Sequence, residues 1–376
     1  MPWIRRTRCS RRVSLAPYGA GPNSVDARRG LVAVAVEAAP KTDPGAVVFL
    51  TPKGDMIARA AVGALPDMLT FTDDGKHVLV ANEGKPSGYG GAGADPEGTV
   101  SIVSTARLTT PGGPEVRTVG FAAFNAGAIR HGDLLAGLRL NGPGASVAQD
   151  LEPEYIALAD DGRSATVTLQ EANALAHIDL RTARVTRITA LGWKDHSVAG
   201  AGLDPSDRDG GVHIGPWPVR GLYMPDAIAS FRLRGRDYLI TANEGDAREW
   251  PTVPSGNFAD EVRVGASSVV LDPVAFPNAA ALKGNAALGR LTISRTDGLI
   301  DGRYAALYAF VGLERVGGVM VFDVTDPRAP TQRNRDPRRG VPVGATGRRP
   351  PTGGRRPWRG ARARRRCARP SGPERP

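Results

Sequence analysis

The sequence predicts an all-β protein, a β-propeller built from one repeated strand plan. The clearest copy spans Asp150–Leu180, where an apolar run leads through Asp160-Asp161-Gly162 into a returning strand and then a third strand. An Asp-Gly pair between two apolar runs is the turn chemistry of a tight hairpin. Nothing in this stretch predicts a helix. Two further observations support a propeller. The plan recurs along the chain, and the hydrophobic fraction of 41% is enough for a core.

The plan recurs along most of the chain, which favours one large domain over two smaller ones. About five repeat units, similar to YVTN repeats, are recognisable: 22–49, 66–103, 150–180, 225–245 and 304–323. Longer connections, where function is usually placed, separate them: 85–98, 106–144, 192–223 and 251–283, the last with an expected short strand at Ser267–Leu271.

The positive charge lies at the two ends of the chain. Residues 1–12 carry five Arg and no acid, and residues 331–376 carry fifteen Arg against Asp336 and Glu374. Taking these +5 and +13 from the total of +11 leaves −7 for residues 13–330. We therefore expect no nucleic-acid-binding face on the propeller, because phosphate binding needs clustered Lys and Arg.

The repeat stretches carry a family resemblance. The strings GPNSV, GLVAVAVEA, VGALPDMLTF, VLVANEG, TVTLQEANALAHIDL, PDAIASF and TANEGDARE resemble the choice-of-anchor I family over roughly Tyr18–Pro330. The resemblance implies a propeller that is seven-bladed in the intact family, in a bacterial protein that is secreted or held at the cell surface. Some members are labelled alkaline phosphatase, and the resemblance implies no catalytic residue set.

We expect three segments. Residues 1–17 form an atypical basic segment, 18–330 an incomplete propeller, and 331–376 an Arg/Pro/Gly-rich disordered tail. The tail is either a basic arm or the product of a frameshift. No signal peptide and no transmembrane segment are visible. Both cysteines, Cys9 and Cys367, lie outside the repeats, so the propeller has neither a disulfide framework nor a thiolate metal site.

Acidic residues recur at fixed places in the units. Because successive strands are antiparallel, the start of a first strand and the end of a second strand meet at one face. Carboxylates crowded there repel unless a cation or protons compensate, which predicts a site for Ca²⁺ or another divalent ion. The alternative is that each acid accepts turn N–H bonds within its own unit. A separate loop at 204–210, with three Asp before a Gly, could also wrap Ca²⁺ or be a solvated turn. The predicted metal ligands are Asp67, Glu83, Glu154, Glu171, Asp204, Asp207, Asp209, Asp226, Glu244 and Asp246.

No catalytic motif accompanies these acids. The sequence has no GxSxG, HExxH or P-loop. Arg220, Arg248 and Lys194 could hold an anionic ligand beside a cation, or could simply pair with carboxylates. The leading functional hypothesis is a propeller that binds a small anionic ligand or a surface partner on an acidic, calcium-loaded face. The alternative is a metal-dependent phosphoester hydrolase, and no organic cofactor is expected.

Overall fold

The computed structural model describes residues 12–89, 93–134, 136–250, 258–311, 319–323 and 331–332. Residues 1–11 of the predicted basic N-terminal segment lie outside these ranges, as do all but two residues of the predicted tail. Leu15 and Tyr18 pack against the buried valines Val34, Val36 and Val48. Apolar packing therefore begins a little before the predicted start of the propeller.

Three consecutive four-stranded antiparallel sheets account for the first half of the chain, each with its strands in sequence order. The first blade is β1 (Gly21–Arg28), β2 (Leu31–Glu37), β3 (Pro44–Leu50) and β4 (Met56–Ala64). The second is β5 (Pro66–Phe71), β6 (His77–Asn82), β7 (Thr99–Ser104) and β8 (Val116–Gly120). The third is β9 (Pro153–Leu158), β10 (Ser164–Leu169), β11 (Ala174–Asp179) and β12 (Arg184–Ala190).

The second half is less regular. Its strands are β13 (Trp193–Asp195), β14 (Arg220–Leu222), β15 (Pro225–Leu233), β16 (Arg236–Asn243), β17 (Glu249–Trp250), β18 (Phe258–Ala259), β19 (Glu261–Arg263), β20 (Thr292–Ser294), β21 (Leu299–Ile300), β22 (Arg303–Tyr304), β23 (Tyr308–Phe310), β24 (Val319–Asp323) and β25 (Thr331–Gln332). The fourth blade is β15-β16-β24-β25, and a separate five-stranded sheet has the order β13-β14-β23-β20-β19.

Helices are few and short in the described residues. Two α-helices span Val147–Asp150 and Ala279–Leu282, and 3₁₀ turns cover Ala122–Phe124, His131–Asp133 and Leu288–Arg290. None of these helices has the length and apolar character needed to cross a membrane. The all-β prediction is confirmed.

The innermost strands β1, β5, β9 and β15 pack side by side in that order, as blades do around a propeller axis. Alternate apolar residues on the blade faces fill the layers between blades. Phe49, Phe71 and Val80 pack between the first two blades, and Leu79 and Val167 belong to the layer between the second and third. Sheet-on-sheet burial of this kind is the main stabilising term of the fold.

The fifth predicted repeat unit is wrong as a blade. Tyr308–Phe310 joins the five-stranded sheet, whereas Val319–Asp323 pairs with β16 and supplies the third strand of the fourth blade. The described residues thus hold four blades, and seven in the intact family stays a prediction. The pattern misled because an insertion of 75 residues, 244–318, separates the second and third strands of one blade. The strand expected at Ser267–Leu271 is also wrong, since only a single bridge, Leu271 to Tyr304, forms there.

Candidate functional site

Three blades present an acidic residue at the same place on the innermost strand. Asp67, Glu154 and Asp226 each follow the proline that opens β5, β9 or β15. In every case the pairing with the second strand shifts register at that point. A bulge changes the direction of the side chain that it carries, and all three acids occupy the same irregular position of their blade. The first blade has Asn23 instead of an acid at this place. The side-chain amide of Asn23 donates to the carbonyl oxygen of Pro66 at 3.1 Å.

The second strands of the same blades end beside these positions. Pro66 pairs with Asn82, Pro153 with Leu169 and Pro225 with Asn243, so the residues that follow lie at the same end of the axis. Two of the three acids that follow are buried. Glu83 is 7% exposed and Glu171 is 3% exposed, whereas Glu244 is exposed. The acidic cluster is defined here as Asp67, Glu83, Glu154, Glu171 and Asp226.

Glu83 is held by the backbone around it. Its N–H donates to the carbonyl oxygen of Leu65 at 2.9 Å, and the next residue, Gly84, has φ +75°. A Cβ on Gly84 would come within 2.9 Å of the carbonyl of Glu97, so the turn requires glycine. Lys85 follows at once, and its Nζ lies 3.0 Å from Glu83 Oε1. One tight turn therefore both buries Glu83 and brings the charged group of Lys85 beside it.

Glu171 sits in the tight turn between β10 and β11. Asn173 adopts φ +50° there, and its N–H donates to the carbonyl oxygen of Gln170 at 2.8 Å. Arg139 Nη1 donates to the carbonyl oxygen of Glu171 at 2.9 Å. The backbone carbonyl of Glu171 thus has a donor, but its carboxylate oxygen Oε2 is buried and receives no hydrogen bond from the described residues. A buried acceptor without a donor costs free energy and needs an explanation.

The members of the acidic cluster act on one another electrostatically. Burial raises the pKa of Glu154 well above its usual value, and the charges of Glu171, Glu83, Asp226 and Asp67 raise it further. Burial also raises the pKa of Glu83, with Lys85 opposing and Glu171 adding to the rise. The charges of these five carboxylates, which come from three blades, therefore act on one another. That they hold a cation stays a prediction.

A second group lies against the cluster and was only partly foreseen. Arg248 is 3% exposed, and its guanidinium donates to Tyr89 Oη at 2.9 Å, to the carbonyl oxygen of Asp150 at 2.8 Å and to Glu152. Its Nη2 also lies 3.1 Å from Asp150 Oδ1. Both carboxylates raise the pKa of Arg248, so it keeps its charge although burial opposes this. Of the two alternatives for Arg248, pairing with carboxylates is confirmed. Its partners Glu152 and Asp150 were not predicted from the sequence.

In the predicted 204–210 loop each of the three Asp residues contacts a protein group, although Asp209 Oδ1 is buried without a hydrogen bond from the described residues. Asp207 makes two contacts with Arg290, from Oδ1 to Nε at 2.7 Å and from Oδ2 to Nη2 at 3.2 Å. Asp209 Oδ2 lies 2.8 Å from His213 Nδ1, and the N–H of His213 donates to Asp204 Oδ2 at 3.1 Å. These contacts favour a turn held by protein groups, which is neither of the two alternatives expected from the sequence, and Ca²⁺ binding by this loop stays a prediction.

Three further predicted residues lie away from the acidic cluster or at its edge. Glu244 accepts a hydrogen bond from Gln170 Nε2 at 3.2 Å, which connects it to the residue before Glu171. Asp246 is exposed and contributes to the electrostatic surroundings of Glu261. Arg220 lies over the rings of Trp193 and Tyr308, at 4.5 and 5.2 Å from their centroids. Among the described residues, no three His, Cys, Asp or Glu side chains form a ready-made metal-ligand set.

Solved structures with similar folds are remote. A protein of unknown function from Desulfotomaculum acetoxidans matches at 14% identity over 46% of this chain and 44% of that one, with a TM-score of 0.29. The Cps50 (Swd1) β-propeller domain of Myceliophteria thermophila matches at 8% identity over 59% and 50%, with a TM-score of 0.33. A Bacteroides thetaiotaomicron protein of unknown function matches at 11% over 62% and 42%, with a TM-score of 0.29.

The chain thus matches half or less of the length of each of these structures, and likeness this remote says nothing about ligand or activity. A search of curated protein sequences gave no match. The sequence profile described as the choice-of-anchor I domain, by contrast, matches residues 5–307, well over half of the chain. This protein therefore belongs to the choice-of-anchor I family.

Proposed function

We propose that this protein is an extracellular or cell-surface interaction propeller that binds a positively charged ligand or partner group at its acidic cluster. The choice-of-anchor I family is one of cell-surface or extracellular proteins. The observation that carries the proposal is the Oε2 of Glu171, which is buried without a donor from the described residues and whose carboxylate interacts with carboxylates of other blades. Such an atom is stabilised by a cation or a donor from outside.

The proposed ligand chemistry differs from the small anionic ligand expected from the sequence. An anion would meet Asp67, Glu83, Glu154, Glu171 and Asp226 together, and like charges at close range repel. Arg248, one of the residues that could have held an anion, pairs with Glu152 and Asp150 instead. A cation lowers the cost of keeping the cluster ionised, and Ca²⁺ is the first cation to test because carboxylate oxygens are its preferred ligands.

The proposal is tested by thermal unfolding of the full chain with Ca²⁺, Mg²⁺, spermidine or a Lys-rich peptide, against EDTA at matched ionic strength. A ligand that binds only the native state raises the unfolding midpoint by an amount that saturates with concentration. We expect such a rise with at least one of these probes. It should disappear in Glu171→Gln, which removes the charge but keeps the size and the backbone contact with Arg139.

Asp207→Asn is the matched control, since it removes a carboxylate from the predicted loop that pairs with Arg290 instead. We expect it to keep the rise. If no probe raises the midpoint, or if Glu171→Gln responds like the unaltered protein, the acidic cluster is not a binding site. The hydrolase alternative rests on the family label alone, and p-nitrophenyl phosphate turnover abolished by Glu171→Gln would be needed to support it.

A further inference from the structure

Arg220 lies between two aromatic side chains at one edge of the five-stranded sheet. It opens β14, and it is paired with Asp195 of the edge strand β13 and with Tyr308 of β23. Residues paired in this way share one face of a sheet, and Trp193 lies on the same face because it is two residues from Asp195. The guanidinium carbon of Arg220 lies 4.5 Å from the ring centroid of Trp193 and 5.2 Å from that of Tyr308.

Arg220 is held in position by groups that are themselves fixed. Its Nη1 donates to Tyr308 Oη at 2.5 Å. Phe310, which follows on the same face of β23, packs with Leu222 and Met224 in a buried cluster, and Tyr308 packs against that cluster. An arginine that is already stacked and hydrogen-bonded loses little side-chain entropy when a ligand binds to it.

The rest of the guanidinium group is open to a ligand. Among the described residues, the Nη1 bond is the only hydrogen bond of the Arg220 side chain, and its Nε and Nη2 atoms are not buried. Arg130 also lies over an aromatic ring, that of Phe124, but its Nε donates to Asp133 and its Nη1 and Nη2 donate to backbone carbonyl oxygens. Two parallel N–H groups that face water, as in Arg220, can bind both oxygens of a planar carboxylate.

Asp195 is the carboxylate paired with Arg220 across β13 and β14, yet its hydrogen bonds go elsewhere. Its Oδ1 accepts from the backbone N–H and the hydroxyl of Ser197, at 2.9 and 2.6 Å. These two bonds, and then the charge of Arg220, lower the pKa of Asp195. Asp195 therefore weakens the positive potential at the open edge of Arg220 but does not occupy it.

Trp193 provides an apolar surface beside this edge. The residue is 41% exposed, although its ring lies against Arg220. The face of an aromatic ring carries partial negative charge and attracts the C–H groups that a sugar ring presents on its flat sides. A carboxylate side chain of a peptide would use the guanidinium group alone, whereas an acidic sugar would use the exposed indole as well.

We propose that Arg220 and Trp193 form a binding site for a uronate unit of an acidic polysaccharide. The sugar carboxylate pairs with Nε and Nη2 of Arg220, and the sugar ring packs on the indole of Trp193. This site shares no residue with the acidic cluster, so the two can be tested separately.

The test uses the full chain and the indole N–H resonance of Trp193, which is assigned by its loss in Trp193→Phe. The probes are digalacturonate, its methyl ester, which keeps the rings without the charge, and N-acetylglutamate, which has carboxylates without a sugar ring. We expect digalacturonate to shift the resonance with saturation and to bind about tenfold more tightly than either comparison probe. A resonance of Trp193 reports on this site even if the fifteen Arg of residues 331–376 also attract anions.

Variants test the two charged groups. Arg220→Lys keeps the charge but loses the planar fork, so the Kd for digalacturonate should rise by about tenfold, whereas Arg130→Lys should leave the Kd unchanged. Asp195→Asn removes the opposing charge and should lower the Kd by about threefold, because a single exposed charge contributes modestly. Damage to the fold cannot produce this tighter binding.

The proposal is wrong if digalacturonate does not shift the Trp193 resonance, or if the methyl ester binds as tightly as the free acid. It is also wrong if N-acetylglutamate binds as tightly as digalacturonate, which would indicate a site for the carboxylates of a peptide. An unchanged Kd in both Arg220→Lys and Asp195→Asn would likewise overturn it.

Discussion

Arg248 provides the sharpest test of how the blades are held together at the acidic end. Its guanidinium connects Tyr89, in the loop after β6, with Asp150 and Glu152, which precede β9. The side chains of Arg248, Asp150 and Glu152 are 2%, 3% and 1% exposed. Arg248→Met fills the volume but leaves two buried carboxylates without their cation.

Removing one partner of a buried pair costs about 3–5 kcal/mol. Domains of 150–250 residues lose about 2–4 °C of Tm per kcal/mol, and the larger size of this protein favours the lower end. We therefore expect Arg248→Met to lower Tm by about 6–10 °C in differential scanning calorimetry. Adding Glu152→Gln should restore part of the loss, because the buried charge rather than the lost contact dominates the cost.

Arg290→Met is the comparison, since Arg290 forms the same kind of pair with Asp207 at the surface. Exposed pairs contribute little, so we expect a much smaller change in Tm. The reasoning is refuted if the two variants lower Tm equally. It is also refuted if Glu152→Gln makes Arg248→Met less stable.

Two further predictions concern the core and pH. Phe121 is fully buried between the second and third blades, so Phe121→Ala should cost about 3–5 kcal/mol in urea unfolding, whereas Ile129→Ala, at a side chain 96% exposed, should cost little. A small effect at Phe121 would contradict the packing. Because burial raises the folded-state pKa of Glu83 and Glu154, their contribution to stability is complete below the ordinary glutamate pKa of about 4.5 and is lost as pH rises through the raised values. Tm should therefore fall as pH rises above the ordinary glutamate pKa of about 4.5. Glu154→Gln should flatten that fall, and an unchanged slope in the variant would show that Glu154 does not contribute to it.

The blade plan was predictable because its signals are local. Apolar strands separated by Asp-Gly or Arg-Gly turns identify β5-β6, β9-β10 and β15-β16 without knowledge of their partners. The outermost strands β4, β8 and β12 were missed. They alternate exposed and buried residues over short spans, as in Val116–Gly120, and lack the continuous apolar runs of the inner strands.

The partner of a strand was not predictable once an insertion intervened. Val319–Asp323 has the same apolar character as an independent blade strand, yet it pairs with β16 across 75 intervening residues. The role of Ser146 also depends on the structure, where it is the N-cap of the helix Val147–Asp150. It accepts from the backbone of Gln149, whose side chain accepts from the backbone of Ser146 in return.

The sequence by itself determined the all-β blade plan and the family. Strand alternation and antiparallel pairing also predict that Asp67, Glu83, Glu154, Glu171 and Asp226 lie at one end of the axis. Only the tertiary structure decided which charges compensate them. Lys85 follows Glu83 in a glycine turn, but Arg248 reaches Asp150 and Glu152 from almost a hundred residues away. Pairing over such distances depends on how blades pack, and no local pattern encodes it.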